Sequence, residues 1–126
     1  MAVASKVGIR GIDTSAYLVK DVERAKKFYV DLLGFEPTLD FRPIGVEWTF
    51  PNDTTFTIVN PPNASWEKGS GIHFNVEDIN ASIAACKAQG VAFADDAKVY
   101  ETPGCFLAFG LDTEGNEFIL HELKSR

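Results

Sequence analysis

Cysteine, methionine, histidine and basic residues are all scarce in this chain. Of its 126 residues two are Cys, one is Met and two are His, and 12 Lys and Arg stand against 18 Asp and Glu, for a net charge of -6. Cys86 and Cys105 lack CxxC spacing, which excludes the common thiolate-metal and dithiol redox motifs, and they read as reduced packing residues. The deficit of Lys and Arg argues against nucleic-acid binding, which needs clustered positive charge, and favours neutral or cationic small molecules as partners. No run of about 18 apolar residues occurs, and MAVASKVGIRGID has no long apolar core. Neither a membrane span nor a secretory signal is expected, and the expected location is cytoplasmic. No cysteine sits beside a histidine in a recognisable nucleophile-base motif, so covalent catalysis has no support.

What the chain does have is an ordinary apolar content, 45%, enough in this length to bury one domain core. It also has the same pattern twice. GIDTSAYLVK reads as a strand, and DVERAKKFYVDLLG then changes period, with Val22, Ala25, Tyr29, Leu32 and Leu33 at helical spacing. Asp21 is placed to cap that helix at its start and Gly34 at its end. PTLDFR, GVEWTF and TTFTIVN follow as strands, separated by Pro43-Ile44-Gly45 and Pro51-Asn52-Asp53. After PPNASWEKGS the order restarts with GIHFNVE as strand, DINASIAACKAQG as helix, and AKVYET, CFLAFGL and NEFILHEL as strands. Val19-Lys20-Asp21-Val22 answers Val76-Glu77-Asp78-Ile79, and Gly34 answers Gly90. Each β-α-β-β-β unit can bury its helix on one face of its sheet and leave the other face for a partner unit.

The segments AYLVKDVERAKKFYVDLLGF, FNVEDINASIAACKAQGV and FGLDTEGNEFILHEL, in that order, resemble the vicinal oxygen chelate superfamily, the glyoxalase, bleomycin-resistance and dioxygenase group. The resemblance runs from Gly11 to Leu123. It implies a single α+β domain of two tandem βαβββ modules with mixed sheets and an open cleft, module 1 at residues 11–60, a linker at 61–70 and module 2 at 71–123. It also implies a homodimer. Its chemistry spans metal-dependent lyases, dioxygenases and isomerases as well as metal-free drug-binding proteins, so the fold alone does not choose.

In metal-using members the resemblance implies four ligands on the first and last strands of each module, dominated by His, Gln and Glu. Carried onto this chain, those positions are Thr14, Thr57, Gly71 and Ile119, none a credible ligand, so no cofactor is expected. Strand alternation turns Ile72, Phe74, Val76, Phe118 and Leu120 toward the core and leaves Gly71, His73, Asn75, Glu117, Ile119 and His121 toward the cleft. His73 and His121 each lie two residues beyond a family ligand position, on strands that the family fold makes parallel neighbours. Both are thereby displaced about 6–7 Å in one direction, and they are the candidate catalytic or displaced metal-binding pair.

Trp48, Trp66 and Tyr100 are expected to line or rim the cavity, with Arg42 as a clamp for a carboxylate, while Phe50 and Phe106 are expected in the core. Three readings remain open. One is a metal-free small-molecule binding or resistance protein. Another is a glyoxalase-like lyase or isomerase using His73 and His121. The last is an interaction domain whose cleft is filled by side chains.

Overall fold

The computed structural model describes residues 6–8, 12–62 and 67–125. The first unit runs β1 (Thr14–Leu18), α1 (Val22–Leu33), β2 (Leu39–Asp40), β3 (Gly45–Thr49) and β4 (Thr55–Val59). The second runs β5 (Ile72–Asn75), α2 (Ile79–Ala88), β6 (Ala92–Phe93), a 3-10 turn (Ala94–Ala97), β7 (Tyr100–Glu101), β8 (Cys105–Leu111) and β9 (Glu117–Leu123). Both helices start where aspartates cap them. Asp21 accepts from the Arg24 N–H at 3.1 Å and Asp78 from the Ala81 N–H at 3.2 Å, each satisfying an amide that the first turn leaves without a helical partner. Gly34 ends α1 in the left-handed conformation, φ 88°, with its N–H on the Val30 carbonyl.

The strands form two mixed sheets, ordered β1-β4-β3-β2 and β5-β9-β8-β6, with β7 also on β8. The β1–β4 and β5–β9 pairs are parallel. Two expected strands are shorter than their patterns suggest. PTLDFR contributes only Leu39–Asp40, and AKVYET only Tyr100–Glu101. In the second case Asp95, Asp96 and Ala97 all take positive φ, 51°, 58° and 60°, which bends the chain out of extended geometry before Lys98. The short strand β6 was not expected and pairs with the far end of β8. Among the described residues no helix is long and apolar enough to cross a membrane, and both cysteines are unbonded.

The contacts that join the two units lie on their helix sides, rather than between two open sheet faces as expected. Tyr29, fully buried on α1, has its ring 4.8 Å from Phe56 and 6.1 Å from Trp48 in the first sheet. Its neighbour Phe28 packs 6.3 Å from Phe118 in the second, and Phe56 meets Phe74 at 5.3 Å. One apolar core thus serves both sheets.

The polar side of this joint is the turn Asp112–Asn116. Asn116, fully buried, donates from Nδ2 to the Leu18 carbonyl at 3.1 Å and to Asp112 at 2.9 Å, and accepts the Gly69 N–H at 2.6 Å. Asp112 also accepts the Tyr29 hydroxyl at 2.8 Å. Glu114 accepts the N–H groups of Lys20 and Asp21 at the head of α1. Tyr17 donates to the Glu117 carbonyl at 2.5 Å and accepts from the Ile72 N–H at 3.2 Å. Burial, with the Asp112 and Glu117 charges adding to it against the Ile72 hydrogen bond, pushes the Tyr17 phenol up to about 12. Burial and Asp112 push Tyr29 well above the usual phenol range.

Replacing Asn116 with Ala removes the acceptor of the Gly69 N–H and the amide donor to the Leu18 carbonyl and Asp112. The expected loss is about 1–3 kcal/mol of unfolding free energy, the cost of leaving the Gly69 N–H unsatisfied, read by urea denaturation. A second expectation follows from the tyrosines. Their folded pKa values are raised, so the stability they contribute is complete below the unfolded value near 10 and is lost as pH rises through the folded values. Ionisation of Tyr17 and Tyr29, followed by tyrosinate absorbance, should therefore coincide with loss of the circular-dichroism signal; full tyrosinate absorbance in an intact fold at pH 10 would contradict this.

Candidate functional site

Register builds the candidate site on the side of the second sheet away from the core. The parallel β5–β9 pair sets His73 beside Ile119 and Asn75 beside His121, so all four share the open face while Ile72, Phe74, Phe118 and Leu120 turn inward. Strand β8 extends that face, with Leu107 opposite His121, Phe109 opposite Ile119 and Leu111 opposite Glu117. Strand β7 adds Tyr100 opposite Leu107. The result is a strip of two imidazoles, a phenol and a phenyl ring on an aliphatic bed.

The two histidine rings lie 5.1 Å apart, centroid to centroid, at 82°. His73 Nδ1 is 2.9 Å from the Gly71 carbonyl. A carbonyl can only accept, so Nδ1 carries the proton and Nε2 of the neutral ring is left as an acceptor. Tyr100 and Phe109 stack edge to face at 5.6 Å. The Tyr100 hydroxyl donates to Asp95 at 2.5 Å, and that bond, with slight desolvation and the Asp95 charge, raises its pKa. Lys98 places its ammonium 4.8 Å from the Tyr100 ring centroid. The left-handed run at Asp95–Ala97 therefore has a local result: it carries Asp95 back to hold the phenol. Glu117, at the edge of the strip, accepts from the Ser70 hydroxyl at 2.9 Å.

The four positions that the resemblance assigns to metal ligands hold a different chemistry. Thr14 and Thr57 hydrogen-bond each other across β1 and β4 at 2.9 Å, and Thr57 donates onward to Glu47 at 3.1 Å. Gly71 has no side chain, and Ile119 is apolar and buried. Two hydroxyls, a glycine and an isoleucine do not fit the imidazole and carboxylate set that a divalent ion of this kind requires. Among the described residues no group of three or more His, Cys, Asp or Glu side chains comes together to hold a metal.

Of the residues picked from sequence, His73, Asn75, His121, Tyr100 and Glu117 lie on this one face. Trp48 does not line a cavity: it is fully buried on the core side of the first sheet, where its indole N–H donates to the Phe35 carbonyl at 2.9 Å. Arg42 is already engaged at the surface, with Asp40 at 2.6 Å and Glu23 at 2.8 Å, and its hydrogen bonds hold the Asp40 carboxyl down at about 2. Trp66 lies outside the described residues. Phe106 packs on the core as expected, and Phe50, also packed there, borders a groove between the two units. Asp95, Lys98 and Leu107 were missed; only strand register and the turn before β7 bring them to the face.

Two tandem βαβββ units with parallel first and last strands, opposite an open sheet face, define a paired-module fold whose sites are carried on sheet faces. Residues 11–120 match the Glyoxalase/Bleomycin resistance protein/Dioxygenase superfamily, and the chain belongs to it. It is 32% identical over 122 residues to the uncharacterized protein YetH of Bacillus subtilis (strain 168), covering 90% of this chain and 99% of that one. TnmS3, an antibiotic binding protein from Streptomyces sp. CB03234, is 26% identical with a TM-score of 0.76, over 92% of this chain and 98% of its own. A lactoylglutathione lyase from Agrobacterium tumefaciens shares the fold at 18% identity and a TM-score of 0.74, over 89% and 92% of the two chains.

Asp95→Ala should release the Tyr100 phenol. In an ultraviolet titration of the folded variant, one tyrosine is expected to ionise nearer pH 10 than in the parent protein, ahead of unfolding.

Proposed function

We propose that this protein is a metal-free binder of a small planar molecule, neutral or cationic, and that it works as a homodimer in which a second copy covers the open sheet faces. The observation that carries the reading is the Thr14–Thr57 hydrogen bond. Where metal-using relatives put ligands, this chain has two hydroxyls that satisfy each other, while the opposite module offers rings. Tyr100, Phe109 and the two imidazoles suit a flat ligand by stacking, worth about 0.5–1.5 kcal/mol per ring pair beyond area burial. The excess of acidic residues supports a neutral or cationic ligand over an anion. TnmS3, by its description an antibiotic binding protein, supports the same class of activity.

Pairing is supported by what the open faces expose. Leu39 is 54% exposed and stands opposite Glu47, on the face that carries Thr57. Leu123, 39% exposed, continues the face of His121 and Ile119. Apolar side chains left in water on both faces are what a second copy would cover.

The second reading, a lyase or isomerase, is favoured by the paired histidines, because the tautomer set by Gly71 leaves His73 Nε2 able to take a proton. Elemental analysis of protein purified without a metal-binding tag separates the two. The binder is expected to carry no stoichiometric divalent ion and to gain thermal stability with at least one compound of a planar aromatic panel, since a ligand bound only to the native state raises its stability. That gain should be lost in Tyr100→Ala. A stoichiometric metal that disappears in His73→Ala and His121→Ala would overturn the first reading.

A further inference from the structure

A well-formed cavity lies away from the open face. A groove of about 730 Å³ lies on the helix side, where the edges of the two sheets come together. Strands β1 and β5 each close an edge of their own sheet and are not paired with one another. Phe56 and Phe74 meet at 5.3 Å in its floor, and Phe50 stands 6.4 Å from Phe74. The turn between β3 and β4 forms one wall, with Asn52 and Thr54, and α2 forms another.

The room comes from the sequence of α2. Ser82, Ala85, Cys86 and Gln89 face the groove, at the i, i+3, i+4, i+7 spacing of one helical stripe. Three of the four are small, so the stripe leaves the aromatic floor uncovered. No Asp, Glu, Lys or Arg appears among the described lining residues, in a chain that is 24% charged. The Cys86 thiol is pushed up by burial and stays protonated. Ser82 and Gln89 offer side-chain donors and acceptors that no other described residue engages.

We propose that this groove is a second binding site, on the opposite side of β5 from the open face, for an uncharged, flat molecule whose body lies on Phe50, Phe56 and Phe74 and whose hydrogen-bonding groups meet Ser82 and Gln89. A charged group on the aromatic floor would meet no carboxylate, ammonium or guanidinium in the lining, the one titratable ring being His73 at the β5 edge, and its removal from water is costly. An aromatic floor with a few convergent polar groups, in a volume between about 300 and 1,000 Å³, is the usual form of a small-molecule site. The proposal does not rest on the open-face reading. His73 and Asn75 point to the open face and border the groove only where β5 forms its edge.

The test uses a matched pair of fluorophores, uncharged phenylnaphthylamine and its sulfonated anion, titrated into the full chain. With the open-face ring removed by Tyr100→Ala, the neutral probe should bind one-to-one with a blue-shifted emission, and the anion at least tenfold more weakly. Ala85→Phe in α2 and Gln89→Phe at its C-terminal cap, both exposed positions, fill the groove and should each weaken the neutral probe at least tenfold with the circular-dichroism spectrum unchanged. Tyr100→Ala, on the open face, should leave it bound. Equal binding of the anion, indifference to both phenylalanines, or loss on Tyr100→Ala overturns the proposal. So does a shift from dimer to monomer in the groove variants by sedimentation, which would make the groove an interface between copies.

Discussion

The structure depends on a short polar turn in its second half gripping the first. Asn116 is enclosed, and its amide is satisfied on both sides, by the Leu18 carbonyl and Asp112 from Nδ2 and by the Gly69 N–H at the oxygen. Asp112 holds the Tyr29 hydroxyl, and Tyr29 is the ring around which Trp48 and Phe56 pack. Buried polar groups cost free energy unless they are paired, and here the bonds to the Leu18 carbonyl and the Tyr29 hydroxyl exist only when both units are docked. Their relative placement is thereby specified, which apolar packing alone would leave less certain.

From that fixed placement the two candidate sites follow. Docking on the helix sides leaves both sheet faces outward, so the His73–His121 strip is presented rather than enclosed. It also brings the edges β1 and β5 close without pairing them, which opens the groove. In each place the chemistry reflects what the sequence omits. The first unit has hydroxyls where a metal would need imidazole or carboxylate, and the groove lacks formal charge.

Much of this was legible. Asp21, Asp78 and Gly34 mark helix ends by chemistry that is local to the backbone, so the helices could be read directly. The pairing of His73 with His121 could be read as well, because period-two alternation fixes which face each residue takes and the motif order makes β5 and β9 neighbours. Trp48 was misplaced because alternation in GVEWTF says only that Val46 and Trp48 share a face. The partner of its N–H, the Phe35 carbonyl, comes from a different element and leaves no periodic trace. The bend at Asp95–Ala97 was illegible for a related reason: no glycine announces it, and tertiary contacts hold three ordinary residues in a conformation that local preference disfavours. Amphipathic patterning likewise showed that each unit buries one face, but not that α1 would be shared between both sheets.

The hydrogen bond from Tyr29 to Asp112 spans 83 residues of chain. On a ribosome adding roughly 5–20 residues per second, the first unit emerges several seconds before the aspartate that completes its core. Through that interval Phe28 lacks Phe118, Phe56 lacks Phe74 and the Tyr29 hydroxyl lacks Asp112. The repeat is therefore not two folding units laid end to end. A message truncated before Asp112 yields a nascent chain with an exposed aromatic face, the kind of surface that chaperones and proteases recognise.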